Sequence, residues 1–143
     1  MKYLLDTMLL KEIGKSKPHR NVEAWLATVD DLDLAISAIN VREIWKGIER
    51  QRAVNPVLAD RLQAAAQFVF SAYRGRILPV DEEIAEMWGR LLGRSEKNIE
   101  DTGLAATARV HGLVLVTRNV SDVEGRGVTV LDPFKRPARI YEA

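Results

Sequence analysis

Two acidic sequence tags lie far apart in the chain and contain the residues best suited to chemistry. The first is Lys2-Tyr3-Leu4-Leu5-Asp6-Thr7, and the second is Glu100-Asp101-Thr102-Gly103-Leu104-Ala105-Ala106-Thr107-Ala108. The first tag predicts a buried strand with Asp6 at its C-terminal end, whereas Asp101 opens a predicted helix that closes at Gly112. Because such ends line the ligand crevice of an open α/β sheet, we expect both acids in one crevice.

The metal ligands that the chain offers are mostly oxygens. It contains no cysteine, and its only histidines are His19 and His111. Mg²⁺ and Mn²⁺ prefer carboxylate and water to sulfur or imidazole. Acids gathered in a crevice therefore indicate a hard divalent cation and phosphate chemistry.

Each acid also has an ordinary structural interpretation. Asp6 and Asp101 are suited to capping helices, and the helix dipole favours a charged Asp101 in the first turn. Glu43 lies nearly opposite the apolar stripe of its predicted helix, where a solvated pair with Lys46 explains it equally well. Glu43 nevertheless shares a secondary face with Gly47, which leaves room for a ligand, and we include Glu43 in the candidate site.

A third group of polar residues follows the last long predicted strand. Asp122 is either a further acid of the site or the start of an Asx-type turn. Arg118 either neutralises a phosphate or is an ordinary surface residue. Asn119 lies between them and is a candidate for substrate binding together with Arg118.

Composition limits the class of protein. A chain of 143 residues with 47% hydrophobic content predicts a single domain, residues 1–143. The absence of cysteine fits a reducing compartment, so we expect a cytoplasmic protein, and no apolar run approaches the ~20 residues of a membrane span. The net charge of +1 means that any nucleic-acid contact must come from a local basic patch.

Turn signals divide the chain into alternating strands and helices. The predicted strands are Lys2–Leu5, Leu32–Ser37, Arg76–Val80, Leu113–Thr117 and Val128–Leu131. The predicted helices are Met8–Lys15, one capped by Asn21, Ala38–Arg50, Asn55–Tyr73, one from Asp81 to Leu92, and one from Asp101 to Gly112. Strands joined by helical crossovers predict a mainly parallel sheet of about five strands in a three-layer α/β sandwich.

Several phosphate-handling classes lack their motifs. The chain contains neither a P-loop nor a G-x-G-x-x-G segment, and it has no cysteine nucleophile. A haloacid-dehalogenase-type phosphatase needs a second acid where Met8 stands. A phosphoreceiver needs an acidic pair after its first strand, but Asp30-Asp31 follows a helix.

The four motifs together resemble PIN-domain ribonucleases, and more narrowly the VapC-type toxins of bacterial toxin–antitoxin pairs. The resemblance runs nearly end to end and is carried by Tyr3-Leu4-Leu5-Asp6-Thr7, Ser37-Ala38-Ile39-Asn40-Val41-Arg42-Glu43-Ile44 with Gly47-Ile48, Asp101 to Ala108, and Leu115-Val116-Thr117-Arg118-Asn119-Val120 with Asp122. Gly127-Val128 to Pro133-Phe134 resembles the tail of that family. Four motifs in the right order and spacing are far more specific than any one of them.

The resemblance implies a PIN-like fold and a metal-dependent endoribonuclease toxin of a type II toxin–antitoxin system. It implies that Asp6 and Asp101 hold Mg²⁺ or Mn²⁺ and that Glu43 binds metal or orients the attacking water. Asp122 or Asn119 would complete the outer shell. The implied partners are an RNA substrate, a cognate antitoxin and a second copy of the chain, with no membrane.

Two positions depart from the family pattern. Met8 stands where the family usually has asparagine, and Asn119 stands where the most complete sites have a fourth acid, which leaves Asp122 as the nearest replacement. A catalytically weakened PIN-fold binding module is therefore an alternative. An unrelated small α/β phosphohydrolase is another.

Overall fold

A computed structural model describes residues 1–143 and contains a six-stranded sheet flanked by six helices. The strands are β1 (Tyr3–Leu5), β2 (Leu34–Ser37), β3 (Ile77–Leu78), β4 (Val114–Val116), β5 (Thr129–Asp132) and β6 (Arg139–Glu142). The helices are α1 (Thr7–Ile13), α2 (Arg20–Leu26), α3 (Ala38–Arg52), α4 (Pro56–Ala72), α5 (Glu82–Leu92) and α6 (Ile99–His111).

The sheet reverses its winding direction at β1. The strand order is β3-β2-β1-β4-β5-β6, and every neighbouring pair is parallel except β5 with β6. The chain therefore builds outward from β1 on one side and then returns to add β4 and β5 on the other. The gap beyond the carboxyl ends of β1 and β4 is the topological switch point, where open α/β sheets bind their ligands.

Alternate residues of each central strand fill two separate cores. Leu4 packs in one hydrophobic cluster with residues of α6, whereas Leu5 packs in the other with residues of α1 and α2. Leu115 and Val116 divide in the same way. Because side chains of a strand point to opposite faces in turn, the sheet is the middle layer. The predicted three-layer α/β sandwich is confirmed.

Helix caps explain why several predicted boundaries hold. Asn55 accepts a hydrogen bond from the Leu58 N–H over 3.2 Å at the start of α4, and Asp81 caps α5 in the same way. Gly112 ends α6 in the left-handed conformation. These are the residues that capping preferences favour at such positions.

Two predicted helix starts are wrong. The cap of α2 is His19, whose Nδ1 accepts from the Asn21 N–H over 3.1 Å, so Asn21 lies inside the helix. Helix α6 begins at Ile99, which places Asp101 third in its first turn rather than at its start. The cap residue Asn98 has a positive φ of 53° and forms no side-chain capping bond, so the usual sequence signal is missing.

The prediction of five strands missed the sixth. Strand β6 is antiparallel to β5 at the edge of the sheet, and its residue Ile140 is exposed. An edge strand with little burial lacks the apolar alternation that marks a strand in the sequence. At the other edge, β3 has only two residues, fewer than the five predicted. None of the six helices combines the length and the apolar character that a membrane span needs.

Candidate active site at the switch between β1 and β4

Asp6 lies at the end of β1 and also caps α1. Its Oδ1 accepts a hydrogen bond from the Leu9 N–H over 2.9 Å, and its Oδ2 accepts one from the Thr117 hydroxyl over 2.5 Å. The residue is only 4% exposed. Burial raises the pKa of Asp6, while the bonds from Thr117 and Leu9 act against that rise. The capping interpretation is therefore correct, but it leaves a carboxylate fixed at the switch point.

Glu43 projects from α3 into the same region. Its Oε1 is buried and has no hydrogen-bond partner, and the side chain forms no salt bridge with Lys46. Burial, followed by the negative charge of Asp101, raises the pKa of Glu43 from 4.5 to about 6. A solvated glutamate would show neither feature. The structure thus favours the site interpretation of Glu43 over the surface interpretation.

Asp101 approaches from the first turn of α6. It is half-buried, and burial together with the charges of Asp122 and Asp6 raises its pKa from 3.8 to about 6. Asp122 lies in the 3₁₀ turn Val120–Val123, which follows β4. A nearby negative charge raises a carboxyl pKa only when the groups are close. The mutual influence of Asp6, Glu43 and Asp101 therefore places these three acids near one another, and Asp122 lies near Asp101.

A buried series of hydrogen bonds near Glu43 was not predicted from the sequence. Asn40 is completely buried; its Oδ1 accepts from the Ser37 N–H over 2.7 Å, and its Nδ2 donates to the Thr7 hydroxyl over 3.1 Å. The Thr7 hydroxyl lowers the pKa of Glu43 against the larger effect of burial, and so favours its charged form. The signal was present as the capping box Ser37-x-x-Asn40 at the start of α3.

Thr117 connects β4 to the opening acid and was also missed. Its buried hydroxyl accepts from the Asn119 N–H over 3.0 Å and donates to Asp6. A hydroxyl can do both at once. Thr117 therefore fixes the orientation of the Asp6 carboxylate and the path of the segment that carries Asn119 and Asp122.

Gly103 is the glycine that the fold requires, whereas Gly47 is not. A Cβ atom at Gly103 would lie 2.7 Å from Ile39 Cδ1 and from the Trp88 ring. At Gly47 it would meet nothing within 4 Å. The small residue that lets α6 pack close to α3 therefore belongs to the Asp101 tag. The space at Gly47 is open, so the predicted room for a ligand beside Glu43 stays a prediction.

The remaining predicted positions lie at the rim. Arg118 is exposed and its guanidinium lies 4.7 Å above the centre of the Phe134 ring. Asn119 is half-buried and its side chain forms no capping bond. Met8 is 38% exposed, so it does not pack into the core. Its backbone N–H points toward Asp6 and lowers the pKa of that acid.

The residues of the crevice fit a hard divalent cation. The available donors are carboxylate oxygens, and the orphaned Glu43 Oε1 is a buried acceptor with no partner in the protein. No three acidic or histidine side chains already form a metal-binding cluster. Burial, followed by repulsion between the neighbouring carboxylates, raises the pKa values of Glu43 and Asp101, and a bound cation would reduce that repulsion.

This fold is that of the PIN domain. The PIN-domain family model matches residues 3–121, and the chain therefore belongs to the PIN-domain family.

Its relatives are bacterial toxins. The chain is 30% identical over 139 residues to the VapC ribonuclease Y4jK of Sinorhizobium fredii, covering 92% of this chain and 97% of that protein. It is also 30% identical over 138 residues to toxin FitB of Neisseria gonorrhoeae, with the same coverage.

Solved structures share the fold over nearly the whole chain. The structure of FitAcB from Neisseria gonorrhoeae superposes with a TM-score of 0.78 at 30% identity, covering 92% of this chain and 98% of that one. DNA-bound VapBC from Salmonella typhimurium has a TM-score of 0.76 at 24% identity, covering 93% of this chain and 98% of that one. The chain is thus a PIN-family homologue of the VapC and FitB toxins.

Proposed function

We propose that residues 1–143 form a single PIN domain that acts as a metal-dependent endoribonuclease, the toxin of a type II toxin–antitoxin pair. One observation carries the catalytic part of this proposal: the buried, unpartnered Oε1 of Glu43 faces a crevice in which Asp101 and Asp6 add negative charge. An unpaired buried acceptor is costly, so a protein keeps one where a ligand satisfies it.

The roles of the acids follow from how each is held. Asp6 and Asp101, at a strand end and in a first helical turn, would hold Mg²⁺ or Mn²⁺. When bound, the ion supplies positive charge against the carboxylates and the scissile phosphate. Glu43 would bind the ion as well or orient the attacking water, because its Oε1 is buried and has no hydrogen-bond partner in the protein. Asp122 or Asn119 would complete the outer shell.

The chain's own residues prepare the crevice for hydrolysis of an RNA phosphodiester. Thr117 and the Leu9 N–H hold both oxygens of Asp6, so its orientation is set before substrate arrives. Asn40 donates to the Thr7 hydroxyl, and Thr7 lowers the pKa of Glu43 against the effect of burial. Arg118 and Asn119 would contact the substrate at the rim. No covalent enzyme intermediate is required.

Protein partners are supported by exposed apolar residues of α4. Val57, Leu62 and Phe68 are 63%, 42% and 78% exposed, so packing within the chain does not account for them. Exposed apolar surface can mark an interaction site, and the similar solved structures include FitAcB from Neisseria gonorrhoeae and FitAB bound to a DNA fragment. We propose a cytoplasmic homodimer that binds a cognate antitoxin. A strict monomer by light scattering that also fails to bind the product of the neighbouring gene would contradict this.

The test of function is cleavage of a quenched-fluorophore RNA by purified protein with Mg²⁺ or Mn²⁺. Glu43→Gln and Asp101→Asn should abolish cleavage, as should a chelator. Glu83→Gln and Asp60→Asn make the same chemical changes at exposed positions and should leave cleavage intact. Wild-type protein that folds but cleaves no RNA would support the weakened binding module instead.

A further inference from the structure

Phe134, which follows β5, brings three basic parts of the chain together. The Arg118 guanidinium lies 4.7 Å from the centre of the Phe134 ring, and the His19 ring packs edge-on against the same ring at 5.0 Å. The segments Lys17–Arg20 and Lys135–Arg139 therefore meet Arg118 at one place. Because Phe134 is only 8% exposed, it serves to organise these cations rather than to present an open aromatic surface.

The cations around this ring are not neutralised by salt bridges. We define the Phe134 surface as Phe134 with Lys17, Arg20, Arg118, Lys135, Arg136 and Arg139. The chain's salt bridges involve other residues. Arg118 and Lys135 line the depression beside the ring, and the other four positive charges lie on the segments that meet there, where one acid, Glu12, accepts a hydrogen bond from the His19 N–H. The chain as a whole has a net charge of only +1. This is the local basic patch that a nucleic-acid contact requires in a nearly neutral chain.

The Phe134 surface adjoins the acidic crevice. It includes part of a depression of about 340 Å³, whose lining includes Arg118, Ser121, Asp132, Phe134 and Lys135. Arg118 directly follows Thr117, which bonds Asp6, and Ser121 directly precedes Asp122. The one acid of the lining, Asp132, is buried, and its Oδ1 accepts from the Phe134 N–H over 2.9 Å.

We propose that the Phe134 surface binds the backbone of single-stranded RNA beside the crevice, with Arg118 and Lys135 on phosphates that flank the cleaved bond. This inference rests on the proposed function for the nature of its ligand. A crevice of four acids repels a polyanion, so cations at its edge must offset that repulsion. A single strand is flexible, so one phosphate can lie in the acidic crevice while its neighbours lie in the adjoining depression. Positively charged grooves that bind single strands follow the nucleic-acid backbone in this way.

Arg118 is suited to this role by its position above the ring. A guanidinium stacked on an aromatic face keeps its N–H groups at its edges, where they can bind a phosphate through two parallel hydrogen bonds. Because the ring itself is covered, bases have no free platform there. We therefore expect binding that depends on charge and salt and tolerates changes of sequence.

The test measures binding in EDTA, where cleavage does not interfere. A short, mixed-sequence, fluorescent single-stranded RNA is titrated with wild-type protein and with Arg118→Gln/Lys135→Gln over a series of salt concentrations. Loss of two phosphate contacts should reduce the slope of log K against log salt by about 1.4 and weaken binding about 10-fold or more at low salt. Arg118→Lys, which keeps the charge but loses the planar fork, should give an intermediate loss.

The matched control removes two charges at the opposite end of the sheet. Lys2 precedes β1 and Arg74 precedes β3, so Lys2→Gln/Arg74→Gln should leave RNA binding and cleavage near the wild-type values. Equal losses in the two double variants would overturn the proposal. Thermal unfolding of each variant verifies that the fold is intact.

Two further ligands separate the proposal from its alternatives. Duplex RNA bound as tightly as the single strand would overturn the single-strand assignment, and polyglutamate bound as tightly would assign the surface to an acidic protein segment. Cleavage with Mg²⁺ or Mn²⁺ is measured separately. If RNA binding depends on Arg118 and Lys135 but the wild type cleaves no RNA, the proposed function alone is overturned. If the wild type cleaves RNA but Arg118→Gln/Lys135→Gln binds RNA as tightly as the wild type, this inference alone is overturned.

Discussion

The Thr117 hydroxyl donates a 2.5 Å hydrogen bond to Oδ2 of Asp6, across the gap between the ends of β4 and β1. Both residues are almost completely buried. The bond lowers the pKa of Asp6 against the larger effect of burial, which raises it. A buried carboxylate at the switch point is thus held in one orientation and kept closer to its charged form by a neutral neighbour.

Replacement of Thr117 should impair activity more than folding. Thr117→Val keeps the branched shape but removes the hydroxyl, so Asp6 Oδ2 and the Asn119 N–H both lose a partner. We expect RNA cleavage and Mn²⁺ affinity to fall about 10- to 100-fold, the effect typical of groups that orient metal ligands. Thr117→Ser retains the hydroxyl and should stay close to wild type. Full activity in Thr117→Val would show that Asp6 needs no such support.

Replacement of Gly103 should destabilise the protein. In Gly103→Ala the new methyl group would lie 2.7 Å from Ile39 and Trp88, and overpacking of this kind costs about 1–3 kcal/mol. Gly89→Ala, in α5, is the matched control; its Cβ meets nothing within 4 Å, and alanine in a helix interior is favoured by about 0.5–1 kcal/mol over glycine. Denaturant unfolding should show opposite signs for the two variants. Ile39→Val should restore part of the loss in Gly103→Ala.

The sequence predicted those parts of the molecule that local chemistry determines. The buried central strands, the caps at Asn55 and Asp81, and the three layers all follow from apolar runs and capping preferences. Strand β6 was not predictable, because an exposed edge strand has no apolar period. The early start of α6 was not predictable either, because Asn98 caps it without a side-chain bond.

The same division holds for the candidate site. The acidic residues of the site could be predicted from their sequence motifs. The residues that hydrogen-bond them or their neighbours could not. Thr117 is an ordinary threonine until the sheet places β4 beside β1, and Asn40 is a helix-start residue until α3 packs near Thr7. Contacts between residues more than thirty positions apart depend on topology, which a single sequence specifies only through its pattern of strands.

Stability without metal should fall as pH rises from 5 to 7. The pKa values of Glu43 and Asp101 are raised to about 6 in the folded state, so in this window the folded protein binds protons that the unfolded chain releases. The free energy of unfolding therefore decreases with rising pH, and the loss is complete above the folded pKa. Thermal unfolding in EDTA should give a lower melting temperature at pH 7 than at pH 5.

The acids responsible can be identified by neutral substitutions. Glu43→Gln and Asp101→Asn should each raise the melting temperature at pH 7 in EDTA and flatten its dependence on pH, while Glu83→Gln should do neither. Mn²⁺ should stabilise the wild type more at pH 7 than at pH 5, because ligand carboxylates must be deprotonated. An unchanged pH slope in both variants would show that these carboxyl groups are not under electrostatic strain.

Met8 should limit turnover. Its side chain is 38% exposed beside Asp6, so it does not contribute to the core, and a thioether is only a weak acceptor. Met8→Asn places an amide, both donor and acceptor, in the turn whose backbone already bonds Asp6. We expect RNA cleavage to rise about 10-fold, on the scale of outer-shell partners of metal ligands. Met8→Leu, an apolar change of similar size, should leave turnover unchanged. If a folded Met8→Asn variant cleaves RNA no faster than wild type across Mg²⁺ and Mn²⁺ titrations, the amide is dispensable at this position.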